Sequence, residues 1–223
     1  VQFREGGYGE GNGLTGSFGP GALTGGFGGG GRNRPTYDLI NTWEAGDLRF
    51  KASMDTMYYY FNADSGRYIT VTDTVPGSHG RRFINKYLDT LAVQPYAGDA
   101  DNNFVVLRYA DVLLMLAEAL GGGTEAYGLI NQVRNRAGLA NVTSYTDLGY
   151  ASFEDFLLHE RRVELAFENH RWYDLLRFGK ALDVITAHFA TEPPILSAPA
   201  EYRMLSPIPQ REVDLGLVQN PGY

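Results

Sequence analysis

Apolar residues recur at helical spacing along four stretches of the chain. Between about Val106 and Leu120, Tyr109, Leu113, Leu116 and Leu120 make one stripe and Val112, Met115 and Ala119 a second. Asp111 and Glu118 are charged positions within it. A helix that is apolar nearly all round is expected to be sandwiched between others. Gly121-Gly122-Gly123 breaks it. A second helix follows at about 125–137, with Ala126, Ile130, Val133 and Ala137 inward. Helix, short turn and antiparallel helix make a TPR-like pair, though without the strict repeat of a TPR array. Ser152-Phe153-Glu154-Asp155 is a variant capping box that opens a third helix, 152–168. Phe153, Phe156, Leu157, Val163 and Phe167 fall near one face of it. A fourth, 170–187, sets Trp172, Leu175, Leu176, Leu182 and Ile185 on one side, with a bend at Asn169-His170 between the two. The pattern predicts a mainly α fold of two antiparallel pairs, 106–120 with 125–137 and 152–168 with 170–187.

Charge changes this picture at one place. Glu160 stands in the middle of the apolar face of the third helix. A carboxylate there is costly unless paired. Arg161, Arg162, Arg171 and Arg177 are near in sequence. Glu160 or Glu164 is therefore expected to be buried and bonded to Arg171 or Arg177. By the same reasoning Glu118 is expected to reach Arg134 across its hairpin.

The flanks read differently. Residues 1–34 hold half of the chain's 28 glycines. Gly11, Gly13 and Gly16 fit G-x-G-x-x-G, but Leu14 to Phe27 lacks the helical pattern that a dinucleotide loop requires. A long loop is expected instead, anchored by Tyr8, Phe18 and Phe27. Thr36 is positioned as the N-cap of a short helix, 36–44, ended by Gly46. Residues 50–54, 57–61 and 68–71 read as strands, with a turn at 62–66 and a short strand at 83–87. This is an irregular, partly β hairpin segment beside the helices. After residue 188, prolines at 193, 194, 199, 207 and 209 forbid a long helix. Arg211 to Leu215 has room for one turn, and the rest is expected to lie extended.

Of the 223 residues 43% are hydrophobic and 20% charged, an ordinary globular balance. Net charge is -7, which argues against a nucleic-acid partner. There are no cysteines and no apolar run long enough to span a membrane. His79, His159, His170 and His188 lack zinc spacing. Asp99, Asp101 and Asn103 open like a calcium loop, but Phe104 and Ala110 occupy its required sixth and twelfth places. No metal or cofactor is expected. The pairs Glu160 with Glu164 and Glu154 with Asp155 invite a glycosidase reading. Arginines around Glu160 and Glu164 would lower their pKa and make them poor general acids. No catalytic residue is assigned. Tyr58, Tyr59 and Tyr60 must alternate faces on a strand. Tyr58 and Tyr60, with Phe18 or Phe27 brought alongside by the glycine-rich loop, are the aromatic plates expected to bind carbohydrate.

Five ordered segments carry a family resemblance: NRPTYDLINTWEAGDLRF at 33–50, RYADVLLMLAEAL at 108–120, INQVRNRAGL at 130–139, ERRVELAFENHRWYDLLRFG at 160–179 and LSPIPQREVDLGLVQNPGY at 205–223. Together they resemble the SusD/RagB family of outer-membrane nutrient-binding lipoproteins, over roughly 33–223. In the first segment Leu48 replaces the proline of a "D-P-R" turn. The resemblance implies a SusD-like C-terminal region, and the chain divides into glycine-rich loops and short strands at 1–104, the part expected to face the ligand, two TPR-like helix pairs at 105–187 and an extended tail at 188–223. It implies capture of an oligosaccharide or other nutrient at the cell surface, and its transfer to a SusC-like TonB-dependent transporter. It also implies a lipid anchor and a helical N-terminal half, which are expected to be missing from this chain. One side of the 106–120 helix should then be left as an exposed apolar patch. The alternatives are a TPR-like protein-interaction scaffold and a helical glycosidase fragment.

Overall fold

The computed structural model of the chain describes residues 35–55, 57–62, 67–72, 82–87, 104–191 and 200–223. The side chains of 57–62 and 67–72 fall outside that description, as do Phe18, Phe27 and the glycine motif at 11–16. The described residues up to Glu168 form one compact unit, and those from Asn169 onward form another. The boundary lies within the stretch 105–187, where Phe167 (φ 67°) and Asn169 (φ 64°) take left-handed backbone.

In the first unit, helix α1 (Tyr37–Ile40) is capped by the Thr36 hydroxyl, which accepts the Leu39 N–H at 3.3 Å. Helix α2 (Leu48–Ser53) replaces most of the strand expected at 50–54. The Asp47 carboxylate caps it, accepting the Arg49 N–H at 2.9 Å. Its buried positions are Arg49 and Ser53, four apart, a helical period that polar side chains conceal from a hydrophobic pattern. Extended backbone resumes at β1 (Met54–Asp55). Strands β2 (Met57–Asn62) and β3 (Arg67–Thr72) follow, then β4 (Phe83–Ile84). Strands β2 and β3 pair as an antiparallel hairpin with Tyr58 opposite Val71 and Tyr60 opposite Ile69. Strand β1 pairs with β4, Met54 opposite Ile84.

Helices α3 (Tyr109–Leu120) and α4 (Gly123–Arg136) form the expected hairpin. Gly121 (φ 69°) and Gly122 (φ 116°) make the turn, in conformations that suit glycine. Helix α5 (Phe153–Glu164) packs on α3 and α2. Its N-cap, Ser152, accepts the Asp155 N–H at 3.1 Å and donates to the Asp155 carboxylate at 2.9 Å. Leu114, Ala117, Ala126, Ile130, Phe156, Leu157 and Val163 are fully buried among these helices. Each large aliphatic or aromatic side chain so placed contributes about 1.5–3 kcal/mol of transfer free energy. The other side of α3 is not sandwiched. Tyr109 is 72% exposed, Val112 40%, Met115 42%, Leu116 46% and Leu120 40%.

Helix α5 ends at Glu164 rather than 168. The carbonyls at its end and just beyond are taken by side chains from elsewhere in the unit, as orphan C-terminal acceptors require. Lys86 Nζ donates to the carbonyls of Glu164 (2.9 Å) and Ala166 (3.0 Å). The Tyr87 hydroxyl donates to that of Phe167 at 3.2 Å.

The second unit contains α6 (Arg171–Arg177), α7 (Ala181–Thr191) and α8 (Gln210–Asp214). The single helix expected at 170–187 is broken because Gly179 adopts φ 65°. The expected turn near 211–215 is α8. The tail folds on itself: Tyr202 and Tyr223 meet edge to face at 5.0 Å, and the Tyr223 hydroxyl donates to the Leu205 carbonyl at 2.8 Å.

Candidate functional site

The site is built on three carboxylates at steps of four. Glu160 and Glu164 are successive turns of α5, and Glu168 follows beyond its end. All three are buried, beside the fully apolar Phe156, Leu157 and Val163. Cations from four other segments converge on them, as buried carboxylates require.

Arg49 Nη1 bridges Glu160 and Glu164, 3.3 Å from each, while its Nε and Nη2 are held by Asp47 at 2.9 and 2.7 Å. Arg134 donates to Glu160, to Glu44 at 2.6 Å and to the Ala140 carbonyl at 3.0 Å. Arg108 donates to Glu164 and, through Nε, to Glu168 at 2.7 Å. Arg136 Nη2 spans both oxygens of Glu164 at 2.6 and 2.5 Å. Lys86 completes Glu168. Five acids (Glu44, Asp47, Glu160, Glu164, Glu168) thus face five cations (Arg49, Lys86, Arg108, Arg134, Arg136). Beside this network, Arg161 and Asp111 form a separate buried pair at 2.8 Å that ties α5 to α3.

The partners differ from those expected. Glu160 and Glu164 take arginines 49, 108, 134 and 136 in place of Arg171 or Arg177. Arg177 instead bonds Asp174, one turn back on α6, at 2.9 Å, and Arg171 opens that helix. Arg134 reaches Glu44 and Glu160 in place of Glu118. The reason is geometric: α5 faces α2 and α3 across the unit, so the nearest guanidiniums in space are far away in sequence.

Burial pushes the Glu164 carboxyl up, but Arg108 and Arg136 outweigh it and hold the group below its ordinary value. For Glu160 burial outweighs Arg49 and Arg134 and pushes the carboxyl up, contrary to the lowering expected for it. Burial also pushes the Lys86 ammonium down, against Glu168. Carboxylates so fully engaged with guanidiniums are suited to clamping helices and ill suited to delivering protons.

Ligand-type atoms of Glu44, His159 and Glu160 lie within 4.8 Å of one another. Arg134 already bonds both carboxylates. A dication would have to enter against it, so the trio reads as part of the clamp. The calcium-like run Asp99, Asp101, Asn103 lies outside the described residues, as do the side chains of Tyr58, Tyr60, Phe18 and Phe27.

A cleft of about 330 Å³ opens beside the clamp, walled by Leu48, Ala52, Tyr87, Val105, Arg108 and Arg136 among others. Sequence reasoning missed its cationic residues. Asp47 and Arg49 were visible in the GDLRF segment, but only as part of a pattern without a role. Arg108 and Arg136 border apolar helices and carry no periodic signal.

The SusD family's sequence model matches residues 30–223. "SusD-like protein P2" of Formosa agariphila is 28% identical over 200 residues, covering 85% of this chain and 40% of its own. A solved "laminarin binding SusD-like protein" is 30% identical with a TM-score of 0.65, covering 96% of this chain and 45% of its own. "Surface glycan-binding protein A" from Bacteroides fluxus is 27% identical with a TM-score of 0.69, covering 100% and 49%. The chain therefore spans about half the length of the relatives it matches, or less.

Proposed function

Since this chain belongs to the SusD family, we propose that it is part of a cell-surface glycan-binding subunit that captures oligosaccharide without cleaving it. The observation that carries this reading is its similarity, at 27–30% identity, to solved proteins described as laminarin-binding and surface glycan-binding. The site chemistry agrees, since Glu160 and Glu164 are both held by guanidiniums. In this proposal the protein sits on the outer membrane by a lipid anchor and passes its ligand to a SusC-like TonB-dependent transporter. Tyr58 and Tyr60, on alternate positions of β2, supply aromatic plates together with Phe18 or Phe27.

The test is calorimetric titration of the full-length protein with a panel of oligosaccharides, alongside a reducing-sugar release assay. Binding without release is expected. Alanine at both Tyr58 and Tyr60 should abolish binding and leave the melting temperature nearly unchanged. Binding with turnover would restore the glycosidase reading. No binding would favour the interaction scaffold, for which the exposed apolar side of α3 is the supporting observation.

A further inference from the structure

The cleft beside the clamp runs against the charge of the molecule. The chain carries -7 overall, yet the cleft is lined by Arg49, Lys86, Arg108 and Arg136 against only Glu164 and Glu168. Asp47 and Glu160, which help to balance these cations, do not line it.

Most of the cationic donors are spent. Lys86 donates to two carbonyls and Glu168. Arg108 is divided between Glu164 and Glu168. Arg49 is divided among Asp47, Glu160 and Glu164. Arg136 differs. Its side chain is 57% exposed, and among the described residues it bonds only Glu164, through Nη2. Its Nε and Nη1 remain as donors. Glu164 is no competitor for them, because three guanidiniums already share its two oxygens. Leu48, 66% exposed, Ala52 and Val105 add apolar wall to the same cleft. Its volume falls at the low end of the range for small-ligand sites.

We infer that this cleft receives the anionic substituent, carboxylate or sulfate, of an acidic saccharide. Arg136 is the group that bonds it, and the apolar wall packs against the C–H face of the sugar ring. A planar guanidinium with two free donors matches either oxyanion. The inference rests on the glycan-binding reading and narrows it to a charged substrate class.

The experiment titrates the full-length protein with matched neutral and acidic oligosaccharides, galactan against galacturonan and against a sulfated galactan, and separately with inorganic sulfate. The acidic oligomers should bind about tenfold or more tightly than the neutral one, with a preference that weakens as salt is raised. R136Q should remove that preference with only a small loss of melting temperature, since Glu164 keeps Arg49 and Arg108, and R136K should retain part of it. Equal binding of neutral and acidic oligomers, or an R136Q variant that keeps the preference, overturns the inference and leaves the glycan reading standing. Inorganic sulfate binding as tightly as the acidic oligomers overturns the saccharide assignment. Binding of none of the saccharides defeats the glycan reading itself.

Discussion

Helices α3 and α5 depart from the hydrophobic rule in opposite directions. Helix α5 buries Glu160, Arg161 and Glu164 in the middle of an apolar face. Helix α3, packed against it, leaves Tyr109, Val112, Met115, Leu116 and Leu120 substantially exposed. The difference teaches that burial follows the partners available and not residue type alone. The α5 carboxylates go inside because Arg49, Arg108, Arg134 and Arg136 meet them there. The apolar side chains of α3 divide by direction: Leu113, Leu114 and Ala117 face the unit and are buried, while Val112, Met115 and Leu116 beside them are not.

Breaking the α5 side should have the largest effect. Glu160→Ala takes a carboxylate from both Arg134 and Arg49 in a buried site and should cost about 3–5 kcal/mol, measured by urea unfolding. A variant as stable as the parent would show that the clamp holds nothing. On α3, Leu114→Ala removes a fully buried side chain and should cost about 3 kcal/mol, within the usual spread for such truncations. A loss below 1 kcal/mol, on the same scale, would mean that the inner face of α3 is loosely packed.

The next effect is tied to pH. His159 sits on α5 beside Glu160, where burial pushes its imidazole down from 6.5 to about 4. Arg49, Arg134 and Arg162 push the same way, and Glu44 opposes them. The folded form refuses a proton that the unfolded chain accepts below its ordinary value. This stability is therefore complete above about pH 6.5 and is lost as pH falls through the folded value. The loss amounts to at most about 3 kcal/mol, less as solvent screens this half-buried ring. His159→Gln should flatten the decline between pH 7 and pH 4.5 in urea midpoints. Equal slopes in the two proteins would show that protonation of His159 is not what weakens the fold. The smallest effect belongs to the outer side of α3: Leu116→Ala should change stability by no more than about 0.5 kcal/mol. A loss comparable to that of Leu114→Ala would mean that this side is covered in solution.

How far the fold was legible follows the same contrast. Helices α3, α4 and α5 were readable because their apolar positions keep helical period. Helix α2 was mistaken for a strand because its inward residues are Arg49 and Ser53. The fourth helix was read through Gly179, since a single glycine does not announce a positive φ. A buried partner for Glu160 followed from the cost of an unpaired carboxylate. Its identity did not, because Arg49 lies 111 residues away and Arg171 and Arg177 are merely close along the chain. Nothing in local pattern distinguishes an arginine that crosses the unit from one that does not. The exposed side of α3 was foreseen only through the family resemblance, since its residues read as buried on their own.

The central claim is that the α5 carboxylates and distant guanidiniums act as one unit, and a double-mutant cycle on Glu160 and Arg134 tests it most directly. Urea unfolding of Glu160→Gln, Arg134→Met and the double variant gives the coupling. Each single change takes from a buried partner one of its opposite charges, whereas the double change removes both members of the pair. The double variant should be more stable than the two losses summed, by at least about 1 kcal/mol. Losses that add to within about 0.5 kcal/mol would show that the two groups touch without holding the fold, and would contradict the account.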